Sequence, residues 1–171
     1  SNIRCIAVDG ANQKWFGTDN GVYLISDDCN TQIYHFNTEN SPLISNTIHS
    51  IAINNNAGKV YFATDKGLCS FNNGIVSPNA EMTKDNVYAY PNPVNPDYTG
   101  KIKIVGLSFN ADIKIVSTNG TLINEGRSAG GSYTWDGCDQ NGKKVASGIY
   151  MVETATESGE KGMVCKIAII R

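Results

Sequence analysis

The chain has 171 residues, 40% of them hydrophobic and 18% charged, with a formal net charge of -2 at pH 7. That length allows one or two domains with ordinary cores, and the faintly acidic balance concentrates no positive potential for a phosphate backbone or an anionic membrane surface, so nucleic acid is excluded as a partner. No run approaches the roughly 18 to 20 consecutive apolar residues of a membrane helix. The start Ser1-Asn2-Ile3-Arg4 has neither the basic region nor the apolar run of a signal peptide, so any leader is expected upstream.

Taken in chain order, the first feature is a repeat. Ile3-Arg4-Cys5-Ile6-Ala7-Val8 recurs as Ile48-His49-Ser50-Ile51-Ala52-Ile53, an offset of 45 residues. Lys14-Trp15-Phe16-Gly17-Thr18-Asp19-Asn20-Gly21-Val22 then answers to Lys59 through Leu68, after one residue is inserted in the Asn54-Asn55-Asn56 loop. A unit of this length, made of short strands and polar turns, has the layout of a four-stranded propeller blade. The strands of the first unit are Cys5 to Val8, Trp15-Phe16, Val22 to Ile25 and Gln32 to Phe36, with a turn at Asp19-Asn20-Gly21 where Asn and Gly accept positive φ. The second unit follows the same order through Leu68 to Phe71, with a fourth strand expected at Ile75-Val76.

Over residues 1–76 the pattern resembles the two-component regulator propeller repeat, an Ile-x-x-Ile start followed by Trp-x-Gly-Thr-x-x-Gly-Leu. The first unit keeps Trp15, Gly17, Thr18 and Gly21, whereas the second carries Tyr61 and Ala63 where the family prefers Trp and Gly. Two blades do not close a ring, so further blades are expected before residue 1, and with them the central channel over which propeller ligands bind.

From Ser77 to Asn86 the composition turns polar around Pro78 and reads as a linker, 77–86. Residues 87–171 then show seven short apolar segments bounded by Gly, Asn, Asp or Pro, the habit of an immunoglobulin-like β-sandwich. Ile102 and Ile104 alternate with Lys101 and Lys103, and Ile113 and Ile115 with Asp112 and Lys114, which gives each strand one core face. Asn119-Gly120 predicts a hairpin with a type I′ turn, and Ser158-Gly159 a second hairpin between Tyr150-Met151-Val152 and Val164 to Ile167. The fold class expected is therefore all-β, a partial propeller of about two blades followed by a seven-stranded sandwich.

The landmarks Tyr90-Pro91-Asn92-Pro93, Gly100 to Ile104, Ile113 to Gly120, Ser147-Gly148-Ile149-Tyr150 and Lys166 to Arg171 resemble, in order, the C-terminal sorting domain of the type IX (Por) secretion system. Trp135 to Tyr150 is also similar to the immunoglobulin-like domain of flagellar hook-capping proteins. The resemblance implies export across the outer membrane of a Bacteroidetes-type bacterium, with the outer-membrane secretion machinery as partner and Pro91, Asn92, Pro93, Gly120, Gly148, Tyr150, Lys166 and Arg171 as the sorting-motif candidates. It implies a secreted or cell-surface location, with the periplasm as the alternative. On physical grounds the last strand is expected to offer an end that a receptor grasps, by strand addition.

No catalytic, cofactor or metal residue is expected. His35 and His49 are the only histidines, and neither adjoins a nucleophile motif; His35, between Tyr34 and Phe36, reads as structural. Asp27-Asp28 and Asp136 to Asp139 read as turn chemistry, because the latter loop lacks the spaced oxygens and terminal Glu of a Ca²⁺ loop. Cys5, Cys29, Cys69, Cys138 and Cys165 are odd in number and contain no Cys-x-x-Cys pair, so at least one thiol stays free or pairs outside the chain. Trp15, Phe16, Tyr23, Tyr34 and Phe36 either line a carbohydrate surface or, the commoner role, pack between blades. The leading expectation is a noncatalytic surface protein whose propeller binds a polysaccharide or protein ligand and whose terminal sandwich directs export. The alternatives are a periplasmic sensor segment of a two-component system and an accessory part of a surface polysaccharide-degrading enzyme.

Overall fold

The computed structural model describes residues 2–171; Ser1, where the expected propeller segment begins, lies outside them. The chain is all-β, and it divides between Ser77 and Pro78 into two compact units. Among the described residues no helix is long and apolar enough to cross a membrane.

In the first unit, β1 (Ile3–Val8), β2 (Lys14–Thr18), β3 (Gly21–Ile25) and β4 (Gln32–Phe36) form one antiparallel sheet in sequential order. The repeat folds again as β5 (Ile48–Asn54), β6 (Lys59–Thr64) and β7 (Gly67–Asn72). The expected fourth strand at Ile75-Val76 does not pair as a strand of this sheet, which stops at three. Side-chain bonds turn the chain instead: Gly74 N–H donates to Asn72 Oδ1 at 3.2 Å, and Ile75 N–H to Asn73 Oδ1 at 3.1 Å. Such local bonds compete directly with the strand ladder.

The hairpin turns explain the Gly-Thr-x-x-Gly spacing. Gly21 and Gly67 take φ of 98° and 124°, while Asn20 stays out of the left-handed region. The Thr18 hydroxyl accepts Asn20 N–H at 2.9 Å and donates to Gly21 O at 2.9 Å, and Thr64 repeats this with Lys66 and Gly67. The two sheets stack through an aromatic core. The fully buried Trp15 has ring centroids of Phe62 and Phe71 at 5.8 and 6.1 Å, and its indole N–H donates to the buried Asp9 carboxylate at 3.0 Å. Gly17 permits the approach, since a Cβ there would lie 2.6 Å from Ile48 Cγ2. An apolar cavity of about 140 Å³ remains beside Phe36, Leu43, Phe62 and Phe71.

The second unit is a sandwich of seven strands: β8 (Tyr88–Tyr90), β9 (Ile102–Val105), β10 (Asp112–Ser117), β11 (Leu122–Arg127), β12 (Ser132–Trp135), β13 (Gly148–Ala155) and β14 (Lys161–Ile169). One sheet has the order β12-β9-β8 and the other β11-β10-β13-β14. Relative to the constant-type immunoglobulin arrangement, the fourth strand has moved to the opposite sheet. The alternation read from sequence holds: Ile102, Ile104, Ile113 and Ile115 are all buried, joined by Leu107, Trp135, Val152 and Ile167. At about 1.5 to 3 kcal/mol for each fully buried large apolar side chain, this shared core is what holds the two sheets together. Met82 and Val87 also enter it, and Asn79 N–H donates to Leu107 O at 2.9 Å, so much of the polar stretch after Ser77 is laid against the sandwich.

One turn differs from expectation. Gly120 has φ 84°, but Asn119 is not left-handed, so the β10–β11 turn is not type I′. The Asn119 carboxamide oxygen accepts from Ser117 Oγ, Thr121 N–H and Thr121 Oγ1, which holds Asn119 in place and leaves Gly120 alone to supply the reversal. The register shift between Ile115 and Val116 is the matching irregularity in the ladder.

Candidate recognition end of the second unit

The sorting-motif candidates lie far apart in sequence, yet the ladders gather most of them at one end of the four-stranded sheet. Ser117, which opens the turn to Gly120, pairs with Tyr150; Tyr150 pairs with Ile167; and Gly148 pairs with Ile169, two residues before Arg171. Asn92 reaches the same strand from the loop after β8.

Tyr150, Arg171 and Asn92 have definable local roles. The Tyr150 ring is buried against Trp135 at 5.8 Å, edge to face, while its hydroxyl donates to Ala146 O at 2.9 Å. A tyrosine near the start of this strand, bonded back to the preceding corner, is a recurrent brace of such sandwiches. Trp135 in turn donates its indole N–H to Cys138 O at 2.7 Å, which ties down the loop between β12 and β13. The terminal residue is tethered as well: Arg171 N–H donates to Ser147 Oγ at 2.8 Å and its Nε to Val145 O at 3.4 Å.

Asn92 does what a strand residue would do. Its Nδ2 donates to Lys166 O at 2.8 Å and its Oδ1 accepts Ala168 N–H at 3.0 Å. Val94 then continues as backbone: its N–H donates to Ala168 O at 2.8 Å, and its carbonyl accepts Ile170 N–H at 2.9 Å, in a parallel bridge with Ile169. The outer edge of β14 from Lys166 to Ile170 is thereby occupied, and Pro91 and Pro93 flank the residue that occupies it. This corrects the expectation that the last strand offers a free edge there, because the polar groups a receptor strand would pair with are already satisfied from within the domain. Sequence reading singled out Pro91-Asn92-Pro93, but it carried no signal that the carboxamide pairs with a strand more than 70 residues on.

Burial sets the electrostatics. Desolvation raises the Cys165 thiol to about 11 and also raises Cys138, whose next cause is the charge of Asp136. Desolvation lowers Lys103 and raises Tyr90, with Tyr88 and Tyr98 adding to the latter. The acidic loop spends its oxygens on backbone: Asp136 Oδ1 accepts Cys138 N–H at 2.9 Å, and Asp139 Oδ1 accepts Asn141 and Lys143 N–H, each at 2.9 Å. All five cysteines are free thiols. In the first unit, His35 Nε2 lies 2.8 Å from Asn20 O and the ring stacks on Tyr23 at 4.0 Å, a structural placement. Trp15 and Phe36 pack between the two blades, whereas Phe16 and Tyr23 stand on the other face of the first one.

One comparison with known proteins falls on this unit alone. Residues 88–169 match the family model described as the secretion system C-terminal sorting domain. Among solved structures, the chain is 38% identical to PorZ, an essential bacterial surface component of the type-IX secretion system of the oral bacterium Porphyromonas gingivalis. That likeness covers 97% of this chain and 22% of PorZ at a TM-score of 0.64, so the chain spans about a fifth of its relative's length. The extracellular domain of the hybrid two-component system BT4673 from B. thetaiotaomicron is 13% identical, with a TM-score of 0.34, over 99% of this chain and 25% of the other. Dimeric latent PorU from Porphyromonas gingivalis is 19% identical, with a TM-score of 0.38, over 66% and 12%. At those scores neither of the latter two carries an argument. No curated protein matches the sequence. The family match over residues 88–169 falls on a seven-stranded sandwich that gathers the landmarks at one end, and the second unit is similar to the secretion system C-terminal sorting domain.

Proposed function

We propose that this chain is the carboxy-terminal part of a noncatalytic protein exported to the bacterial cell surface or beyond it, and that residues 87–171 are the signal read by the outer-membrane type IX secretion machinery. The observation that carries this reading is the match of residues 88–169 to the sorting-domain family. The noncatalytic part is supported by how the polar groups are spent. Asp9, His35, Asp136 and Asp139 are engaged in bonds that brace turns, strands and the buried indole. In this reading the propeller blades belong to a site for a polysaccharide or protein ligand.

A second reading refines the first. The likeness to PorZ runs through both units at 38% identity, which favours an exported protein that is itself a surface component of the secretion system. Cell fractionation and surface labelling of the natural protein, with and without residues 87–171, test the export role. Loss of surface display on truncation is the expected result, and unchanged display sinks it. A knockout then separates the two readings: a machinery component abolishes surface display of other sorting-domain proteins, whereas an ordinary cargo leaves them in place.

A further inference from the structure

The sheet β11-β10-β13-β14 turns one face to the closed core of the sandwich, so its other face is expected to be polar. Two rows of that outer face keep largely to the rule. Arg127, Asp112, Ala155 and Lys161 lie side by side across the four strands, and next to them come Glu125, Lys114, Glu153 and Val164. In these rows Arg127 Nε donates to Asp112 Oδ1 at 2.8 Å, and Lys114 stands directly between two glutamates.

Toward the end where the sorting landmarks gather, the same face becomes apolar. The next row is Leu122, Val116, Met151 and Lys166, and beyond it Ile149 pairs with Ala168. Val116 is buried between half-buried Leu122 and Met151, while Ile149 is 44% exposed and Val164 51%. Contiguous apolar side chains on a face that looks to solvent mark an interface.

We propose that this face docks on the same face of a second copy of the chain, about a two-fold axis running along the strands between β10 and β13. Such an axis lays β13 of one copy over β10 of the other and keeps each row over itself. Residues paired across β10 and β13 therefore meet again across the interface. Met151 falls on the partner's Val116 and Glu153 on the partner's Lys114, and each contact occurs twice. Lys166 lays its aliphatic stem over the partner's Leu122. The one clash of like charge, Arg127 over the partner's Lys161, lies at the rim, and the Arg127 charge is already met by Asp112. Face-to-face sheets cross at about 30°, so the match is close near the axis and loosens toward that rim. A second copy is thus an occupant whose apolar and charged positions both match by symmetry. A face four strands wide and six residues long measures about 20 Å on a side, the scale of the smaller specific interfaces, so association in the micromolar range is expected.

The test is analytical ultracentrifugation of the 171-residue chain across the micromolar range. A monomer–dimer equilibrium is expected, and a chain that stays monomeric throughout overturns the proposal. Lys114→Glu and Glu153→Lys, both at exposed positions, each set like charges against each other across the axis and should weaken the dimer at least about tenfold. Mixed together, the two variants carry opposite charges at both contacts and should associate with each other about as tightly as the wild type does with itself. A mixture that stays monomeric, or a dimer that neither variant weakens, overturns the proposal. Ile6→Glu, on the exposed face of the first unit, should leave the dimer intact; if it abolishes the dimer instead, the copies meet through the first unit and the proposal fails. Every measurement is made on purified chain, so failure of the export reading would leave these outcomes unaffected.

Discussion

The two units solve the same problem, burying the apolar face of a sheet, in opposite ways. The sandwich folds its two sheets onto each other, so Ile104, Ile115, Val152 and Ile167 all reach one closed core. The propeller segment stacks two sheets through one face each, which leaves Ile6 and Val8 on one side and Leu68 on the other in solvent. Stability in such an array is approximately a sum of nearest-neighbour terms, and these two blades supply a single interface. The sandwich should therefore be the more stable unit, and the two should unfold separately.

The largest effect that would break this comparison comes from Trp15. Trp15→Ala removes the side chain that fills the inter-blade core and leaves the buried Asp9 carboxylate without its indole donor. The expected loss is about 3 to 5 kcal/mol, enough to unfold the first unit on its own. Calorimetry of the chain should show the lower transition vanish while the upper one stays in place. If both transitions shift together, the units are coupled and the contrast drawn between them is wrong.

Smaller effects sharpen the comparison inside the sandwich. Asn92→Ala deletes two hydrogen bonds to β14, at about 1 kcal/mol each, and frees the edge between Lys166 and Ala168. The diagnostic readout is amide hydrogen exchange at Ala168, which should speed up far more than at Ile167, whose partner strand is untouched. Equal protection before and after the change would mean that Val94 alone holds the edge. Tyr150→Phe should cost about 1 kcal/mol in urea unfolding by removing the bond to Ala146 O while keeping the ring against Trp135.

Legibility follows from how local each feature is. The strand alternation at Ile102 to Ile104 and Ile113 to Ile115, the blade repeat and the Gly21 and Gly67 turns are written within a few residues, because period-2 burial and positive φ are local demands. The landmarks could be named from sequence, but their convergence could not, since it depends on the β10-β13-β14 ladder order. The missing fourth strand at Ile75-Val76 was misread because its apolar residues look strand-like, while the bonds that turn the chain come from Asn72 and Asn73 just before it. The Asn119-Gly120 turn was misread because the dipeptide permits two left-handed residues without requiring them, and bonds from Ser117 and Thr121 decided between the alternatives.

The smallest expected effect is a pH dependence within the sandwich. Cys165 lies half-buried on β14 with its thiol raised to about 11 by burial, so the folded state resists ionisation more than the unfolded chain does. A folded-state value above the unfolded one means that the stabilising difference is fully present below the usual thiol range, near 9.0, and is lost as pH rises toward about 11. The melting temperature of the sandwich should therefore fall across that window. Tyr90 and Tyr133 are raised by burial too and contribute to the same fall, so the comparison must be with Cys165→Ala, which removes only the thiol's share. The variant's curve should be shallower than the wild type's between about pH 9 and 11 and parallel to it below. Parallel curves throughout would mean that the thiol ionises without opening the strand, and that the core side of β14 is wetter than its packing against the closed sandwich implies.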